Sequence, residues 1–229
     1  MRKRAPIQRG FTLVELLTVM GILGLLVMLL MPAVNFAIQA AYRASTKNTI
    51  NQIETGLAGF HADWSCYPPS DGNHEFASSA KAGGGYENLG YFLCSVWGGG
   101  GAVPGGGESD KRSGPYFEGE KGSTAGILDS FKPEYYILYF RYKPAETLLY
   151  DVRDNPVDDE NAAEGFPSQT NLNLLILRPG SNQYVRTDYV LISAGPDRKF
   201  GHRTGTNGDT AASDYTDAYC DDVTNFEYE

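Results

Sequence analysis

An apolar run near the N-terminus, from Phe11 to Met31, constrains this chain more than any other feature. It contains a single ionisable side chain, Glu15. At about 1.5 Å per residue, a helix of this length spans roughly 30 Å, the thickness of a bilayer's hydrocarbon core. A carboxylate inside a membrane-length helix is costly. Glu15 is therefore a functional residue by default, and its cationic partner has to be identified.

The charges that flank the run predict how it is oriented. Four basic residues precede it (Arg2, Lys3, Arg4 and Arg9), and the next charge after Glu15 is Arg43. Positive flanks stay on the cytoplasmic side, so the C-terminal bulk should face outward. An ordinary secretory signal peptide and a plain signal anchor are the alternatives. Neither alternative requires a glutamate early in the run or a Gly10–Phe11 border.

Composition predicts one globular domain beside the helix. The chain has 229 residues, 41% of them hydrophobic, and a formal net charge of −9. Residues 1–10 hold four basic and no acidic side chains, so their removal changes the charge from −9 to −13. Such acidity argues against a nucleic acid partner and against binding to an anionic membrane surface. With 27 glycines and 15 tyrosines, the domain should be rich in strands and turns.

The helix is expected to continue beyond the apolar run, with a kink at Pro32. Apolar residues recur at helical spacing and predict one packed face. These residues are Val34, Ala37, Ile38, Ala41, Ala44, Ile50, Ile53, Leu57 and Phe60. The double proline Pro68–Pro69 predicts an end of the helix near Asp63. The predicted fold is therefore α+β, with a long N-terminal helix on a small antiparallel sheet with long loops.

Four apolar segments in the second half of the chain are candidate strands, and the turn residues between them favour antiparallel hairpins. They are residues 135–140, 147–150, 174–177 and 189–192. The glycine-rich segment 83–107 reads as a surface loop. It lacks the Gly-Lys-Ser/Thr sequence and the strand–loop–helix frame of a phosphate-binding loop.

The sequence leaves two features open, a metal site near the C-terminus and a disulfide. Seven carboxylates and no lysine or arginine lie between residues 207 and 229. They could bind Ca2+ through oxygen ligands or form a solvated acidic tail. The three cysteines, Cys66, Cys94 and Cys220, allow one disulfide, and Cys66–Cys94 is one of three pairings. No zinc motif and no catalytic arrangement is evident, so we do not expect an enzyme.

The leader from Arg9 to Glu15 resembles the class III leader of type IV pilins and type II secretion pseudopilins. The resemblance implies that a prepilin peptidase cleaves after Gly10 and that the new N-terminal residue, Phe11, is N-methylated. It also implies that Glu15 pairs with the N-terminal amine of a neighbouring subunit and sets the axial register of a helical filament.

The C-terminal end is similar to the major pseudopilin, in which a strand, a Gly-x-Asp turn and a downstream Asp pair enclose a structural Ca2+. Asp197 matches the first acid of that pattern, and Asp221 with Asp222 matches the pair before Val223. Short landmarks agree in order: Tyr67-Pro68, Gly114-Pro115-Tyr116, and residues 151–156. The chain departs from the pattern in the long insert after Asp197, in Arg198 at the usual glycine, and in the extra segment 83–107.

Together these features predict four regions: a leader at 1–10, a membrane and filament-core helix at 11–31, an amphipathic continuation at 32–65, and an extracytoplasmic β domain at 66–229. The expected protein is a single-pass inner-membrane protein with a periplasmic C-terminal domain. It would assemble into a pseudopilus that pushes folded proteins across the outer membrane. Expected partners are further copies of itself, minor pseudopilins, prepilin peptidase and the inner-membrane assembly platform. A surface pilin for adhesion, motility or DNA uptake and a monomeric membrane-anchored binding module are the alternatives.

Overall fold

The computed structural model describes residues 12–71, 84–104, 107–143, 149–155, 169–176, 183–196, 198, 200 and 222–226. The chain divides into two compact units, residues 1–41 and 42–229. The predicted leader, residues 1–10, lies outside the described residues, and the predicted region boundaries stay predictions.

One long helix, α1, runs from Leu13 to Trp64 and continues through Pro32. It ends where the sequence predicts. Ser65 takes a positive φ of 55°, and its N–H donates to the carbonyl of His61 at 2.7 Å. The two prolines at 68 and 69 follow and prevent further helix. A kink at Pro32 remains a prediction.

The buried face of α1 begins later than the sequence pattern suggests. Its first buried residue is Thr46, and the buried apolar positions are Ile50, Ile53, Leu57 and Phe60. Val34 and Ile38, which we expected on the same packed face, are exposed. Helical periodicity identifies which side of a helix is apolar, but it cannot show how far along the helix other chain segments cover that side.

A second helix packs with α1 in the first core, and two short hairpins follow it along the chain. Helix α2 spans Gly85–Cys94, and the hairpin strands are β1 (Gly101–Ala102), β2 (Glu108–Ser109), β3 (Gly122–Ser123) and β4 (Gly126–Ile127). Leu89, Phe92 and Leu93 of α2 join the α1 residues in the first core, together with the fully buried Ile127. The Gly56 backbone lies so close to Tyr116 that an added Cβ would be 2.7 Å from the Tyr116 carbonyl oxygen.

The central sheet has three antiparallel strands, β5 (Leu138–Arg141), β6 (Tyr189–Ser193) and β7 (Val223–Thr224), in the order β5-β6-β7. Leu138 pairs with Ile192, and Ser193 pairs with Val223. Tyr139 and Leu191 face the first core, whereas alternate side chains point to the opposite face. The α+β fold with a long helix on a small antiparallel sheet is thus confirmed.

A second core covers the other face of the sheet. Phe140, Val190 and Ile192 pack there against residues from the segment around helix α3, which spans Gln169–Leu175. The sheet is therefore buried on both sides, although its two outer strands are short.

Two strand predictions and one loop prediction are wrong in part. Leu174 and Leu175 belong to α3, and Leu172, Leu175 and Ile176 are buried at helical spacing. Leu149 and Tyr150 form no strand, while residues 147 and 148 lie outside the described residues. Within the predicted glycine-rich loop, residues 85–94 are helical. Short apolar runs fit a buried strand and a buried helix equally well, so periodicity alone does not separate them.

Candidate assembly segment

The first turn of α1 is closed by a reciprocal set of hydrogen bonds between Thr12 and Glu15. The Thr12 N–H and the Thr12 hydroxyl donate to Oε2 of Glu15 at 2.9 Å and 2.8 Å. The Glu15 N–H donates in return to Oγ1 of Thr12 at 3.2 Å. This is the capping box of helix N-termini, in which two otherwise unsatisfied backbone donors find side-chain acceptors.

The capping box gives Glu15 a role that the sequence analysis missed. The signal was present, since Thr12-x-x-Glu15 ahead of an apolar run is a capping-box pattern. The capping box holds the carboxylate beside the start of the helix, which begins two residues after the predicted new N-terminus at Phe11. Gly10 and Phe11 lie outside the described residues, so the predicted cleavage and N-methylation stay predictions.

Beyond the first turn, the first half of α1 presents a mostly apolar surface. Every described residue from 12 to 41 is exposed, including Leu16, Leu23 and Phe36. By length and composition the helix can cross a membrane, and it lies near the N-terminus. So large an exposed apolar area is not stable in water, so lipid or other protein chains have to cover it.

Glu15 has no cationic partner among the residues that the structure describes. Within that part of the chain, its carboxylate accepts hydrogen bonds from the N–H and the hydroxyl of Thr12. Thr12 supplies neutral donors only, which leaves the carboxylate charge uncompensated within this stretch of the chain. A buried Glu15 would then need a cation from outside the described residues.

The second predicted site involves residues that follow β6 and precede β7 in the sequence. Because Ser193 pairs with Val223, the chain leaves β6 and enters β7 at the same end of the sheet. Gly195 and Arg198 both have a φ of 65° in the turn after β6. A non-glycine residue in this region is uncommon, so Arg198 occupies a conformation that favours glycine.

Of the three predicted Ca2+ ligands, only Asp222 is described, as a partly exposed residue directly before β7. Asp197 and Asp221 lie outside the described residues. Within the described part of the chain, no group of three metal-ligating side chains comes together. The Ca2+ site therefore stays a prediction.

The Cys66–Cys94 pairing, one of the three that the sequence allows, is not formed in the structure, where both residues carry thiols. Both are partly buried against the first core, Cys94 at the end of α2 and Cys66 after the end of α1. Burial raises the pKa of the Cys94 thiol to about 11, so it stays protonated and unreactive at neutral pH. Cys220 lies outside the described residues, and pairings that include it remain predictions.

Two buried carboxylates, Asp129 and Asp154, were not singled out by the sequence. Asp129 accepts a hydrogen bond from the Ser193 hydroxyl at 2.7 Å and another from the Tyr135 N–H at 3.2 Å. Asp154 accepts from the Ser70 hydroxyl at 2.6 Å and from Nζ of Lys143 at 2.8 Å. Burial raises the pKa of both carboxyl groups, although these hydrogen bonds act in the opposite direction.

The landmark segment 151–155 has a structural role. Nδ2 of Asn155 donates to the Tyr139 carbonyl at 2.8 Å, and its Oδ1 accepts from the Tyr86 N–H at 2.8 Å. Asn155 thereby joins the edge of β5 to the first turn of α2. Asp151 accepts from the Arg153 N–H at 2.9 Å and caps a short 3-10 helix. These polar groups stabilise the fold and are satisfied within the chain.

Comparison with known protein families identifies the N-terminal segment. Residues 6–31 match the family model described as the prokaryotic N-terminal methylation motif. No curated protein and no solved structure matches the chain. The motif indicates a type IV pilin-like or pseudopilin subunit, a structural class of protein. It implies processing by prepilin peptidase and assembly into a filament, and the apolar helix is consistent with membrane anchoring.

Proposed function

We propose that this chain is a structural subunit of a type II secretion pseudopilus. In this proposal it is cleaved after Gly10, held in the inner membrane by residues 11–31, and assembled into a helical filament that moves folded proteins across the outer membrane. The observation that carries the assembly part is the methylation motif at residues 6–31, followed by a helix whose described residues up to Ala41 are all exposed.

In this proposal, Glu15 selects the correct axial alignment of neighbouring subunits during assembly. Its carboxylate is held at the start of the helix by Thr12, and a charge-free stretch follows up to Arg43. The amine created at Phe11 of a neighbouring subunit is the cation that this carboxylate would meet. A misplaced neighbour would leave both charges buried without partners, a cost of several kcal/mol that only correct axial alignment avoids (about 3–5 kcal/mol for a broken buried pair).

The choice of a secretion pseudopilus over a surface pilus rests on the C-terminal end. The pairing of Ser193 with Val223 brings the residues after β6 and those before β7 to one end of the sheet. Asp197, Asp221 and Asp222 are close in sequence to these strand ends. We propose that the three side chains hold a structural Ca2+ there. The ion would neutralise converging carboxylates and supply no catalysis.

A surface pilin is the second candidate. Arg198 replaces the usual glycine of the pseudopilin pattern, and this departure favours the surface pilin. Arg198 directly follows Asp197, which matches the first Ca2+-binding acid of the pseudopilin pattern. The leader and the exposed helix fit both candidates.

A gene deletion in the natural host separates the two candidates. If the chain is a pseudopilin, the deletion abolishes release of folded exoproteins into the medium while surface pili persist. Wild-type chain restores release, and the Glu15→Ala variant does not. Loss of surface pili with normal release would assign the chain to a surface pilus.

The metal proposal has its own test. The domain expressed from residue 34 is melted in EDTA and then in excess Ca2+, beside the Asp197→Ala variant. When the free Ca2+ concentration is 100 times the dissociation constant of the site, binding adds about 2.7 kcal/mol to the free energy of unfolding. The proposal predicts an upward shift in wild type that the variant lacks. Identical melts with and without Ca2+ would contradict it.

A further inference from the structure

Two partly exposed tyrosines of the globular unit, Tyr86 and Tyr136, stack on each other. Their ring centroids lie 5.0 Å apart, and the planes of the two rings differ by only 20°. Tyr86 belongs to the first turn of α2, whereas Tyr136 lies two residues before β5. The contact therefore joins two elements that are distant in the sequence.

Contacts with neighbouring elements fix both members of this stacked pair. The Tyr86 N–H donates to Oδ1 of Asn155 at 2.8 Å. Tyr136 forms an antiparallel backbone bridge with Leu128. Its ring lies so close to Gly126 that an added Cβ would be 2.4 Å from Cδ1 of the tyrosine. The two phenol rings are thus held against each other by the fold around them.

Parallel stacking is the geometry that oxidative coupling of two phenols requires. A tyrosyl radical carries its unpaired electron in π orbitals that stand perpendicular to the ring, with high density on the carbons ortho to the oxygen. Two such radicals form a carbon–carbon bond when these orbitals overlap face to face. In a T-shaped pair the edge of one ring points at the face of the other. The π orbitals of a T-shaped pair therefore do not overlap in this way.

Three other tyrosine pairs of the globular unit lack the parallel arrangement. Tyr67 and Tyr189 form a T-shaped contact at 5.1 Å. The planes of Tyr139 and Tyr189 are tilted by 38° at 6.2 Å, and those of Tyr142 and Tyr150 by 56° at 5.8 Å. Each of these pairs also contains a phenol whose pKa is raised by burial, which disfavours the proton loss that accompanies oxidation.

We propose that Tyr86 and Tyr136 are a modification site at which hydrogen peroxide, acting through a one-electron haem catalyst, joins the two rings as dityrosine. Each phenol loses one electron and one proton. The two radicals form a bond between ring carbons ortho to their oxygens. The hydrogen on each bonded carbon then leaves as a proton, and each oxygen regains one. The net loss is two hydrogen atoms, which reduce one hydrogen peroxide to two molecules of water.

The cross-link would reinforce a junction that the fold already contains. Asn155 connects the same two elements, since its Nδ2 donates to the Tyr139 carbonyl of β5 at 2.8 Å. A covalent bond between Tyr86 and Tyr136 would hold this junction closed even when the hydrogen bonds open. As with a disulfide, a link between residues distant in sequence restricts the unfolded chain and thereby stabilises the folded one.

The test oxidises the full chain in detergent micelles with hydrogen peroxide and a small haem peptide, at low protein concentration. Trypsin then releases Tyr86 and Tyr136 on separate peptides, because Lys121 lies between them. Mass spectrometry quantifies the linked peptide pair, which is lighter than the two free peptides by two hydrogen atoms. Tyr184, which is 37% exposed, is the internal reference, since loss of its unmodified peptide shows that the oxidant is active.

The proposal predicts a Tyr86–Tyr136 link within single chains. Tyr86→Phe keeps a ring at this position but lacks the phenol oxygen, so it should abolish the link. The matched control Tyr142→Phe changes a tilted pair and should leave the link intact. Near-UV circular dichroism checks that both variants keep the packing of wild type. Wild type unfolded in urea before oxidation should lose most of the link, because the rings no longer stack.

Consumption of Tyr184 without a link between Tyr86 and Tyr136 would overturn the proposal. An equal yield of the link in urea would also overturn it, since the folded geometry would then have no part in the coupling. Links that join only separate chains would do the same, because a second copy would then supply the coupling partner.

Discussion

The two halves of α1 have the same backbone conformation and opposite environments. From residue 12 to 41 every described side chain is exposed, whereas from Tyr42 to Trp64 the helix buries Ile50, Ile53, Leu57 and Phe60 completely. Both halves carry apolar residues, so apolar content alone does not distinguish them. The second half is covered by its own chain, and the first half needs lipid or other subunits.

The carboxylates of the two regions differ in the same way. Asp154 is buried and finds Lys143 and Ser70 within its own chain. Glu15 finds only the neutral donors of Thr12 within the described residues. The charge of Asp154 is thus compensated within its own chain, whereas the proposed function assigns the partner of Glu15 to a neighbouring subunit. The following predictions test this contrast, from the largest expected effect to the smallest.

Glu15→Ala should abolish filament assembly while leaving membrane insertion intact. Removal of a charge from an apolar helix makes insertion easier, but it removes the partner of the incoming amine. Shearing and sedimentation measure the assembled fraction, and carbonate extraction measures insertion. The matched control is Glu54→Ala in the other half of α1, which should assemble normally. Normal filaments from Glu15→Ala would contradict the account.

Lys143→Met should destabilise the globular unit by about 3–5 kcal/mol, because Asp154 would lose its cation while staying buried. Urea unfolding at neutral pH measures the loss. The control Lys111→Met breaks an exposed pair and should change the free energy of unfolding by under about 1 kcal/mol. Equal losses in the two variants would show that Asp154 does not depend on Lys143.

The deficit of Lys143→Met should shrink as the pH falls. Burial already raises the pKa of Asp154 above its usual value, and loss of the lysine raises it further. A carboxyl group with a higher pKa in the folded chain binds its proton more tightly there. Stability is therefore lost as the pH rises through the folded pKa and regained as it falls. Urea unfolding at pH 7 and near pH 4 checks the direction, and a deficit that grows in acid would refute it.

Ile53→Ala and Ile38→Ala compare the same substitution in the two halves of α1. Ile53 is fully buried, so its truncation should cost about 2–5 kcal/mol, whereas Ile38 is 43% exposed and should cost under about 0.5 kcal/mol. Both can be measured by urea unfolding of the domain expressed from residue 34. Similar losses at the two positions would mean that the helix is covered earlier than Thr46.

Thr12→Val should have the smallest effect. The substitution removes the hydroxyl that caps the helix, and this loss costs about 1 kcal/mol of helix stability. Glu15 stays in place. We expect slower assembly than in wild type, with filaments still forming, as followed by sedimentation over time. Thr12→Ser keeps the hydroxyl and should assemble at the wild-type rate. Complete loss of filaments in Thr12→Val alone would assign Thr12 a larger role than capping.

The amount that could be predicted from the sequence follows the range of the interactions involved. The end of α1 before Pro68 and strands β5 and β6 depend on local residues, and the sequence analysis found them. Helix α3 was mistaken for a strand because its short apolar run fits either element. Asp129 and Asp154 are buried with hydrogen-bond partners from other segments, namely Ser193, Ser70 and Lys143. A local sequence pattern could not predict these contacts.

The most direct test of the account is the mass of the N-terminal peptide of the chain purified from its host's membranes. The account predicts that the chain begins at Phe11 and that its amine carries one methyl group. A chain that still begins at Met1, or one cut beyond Met31 and released from the membrane, would contradict it.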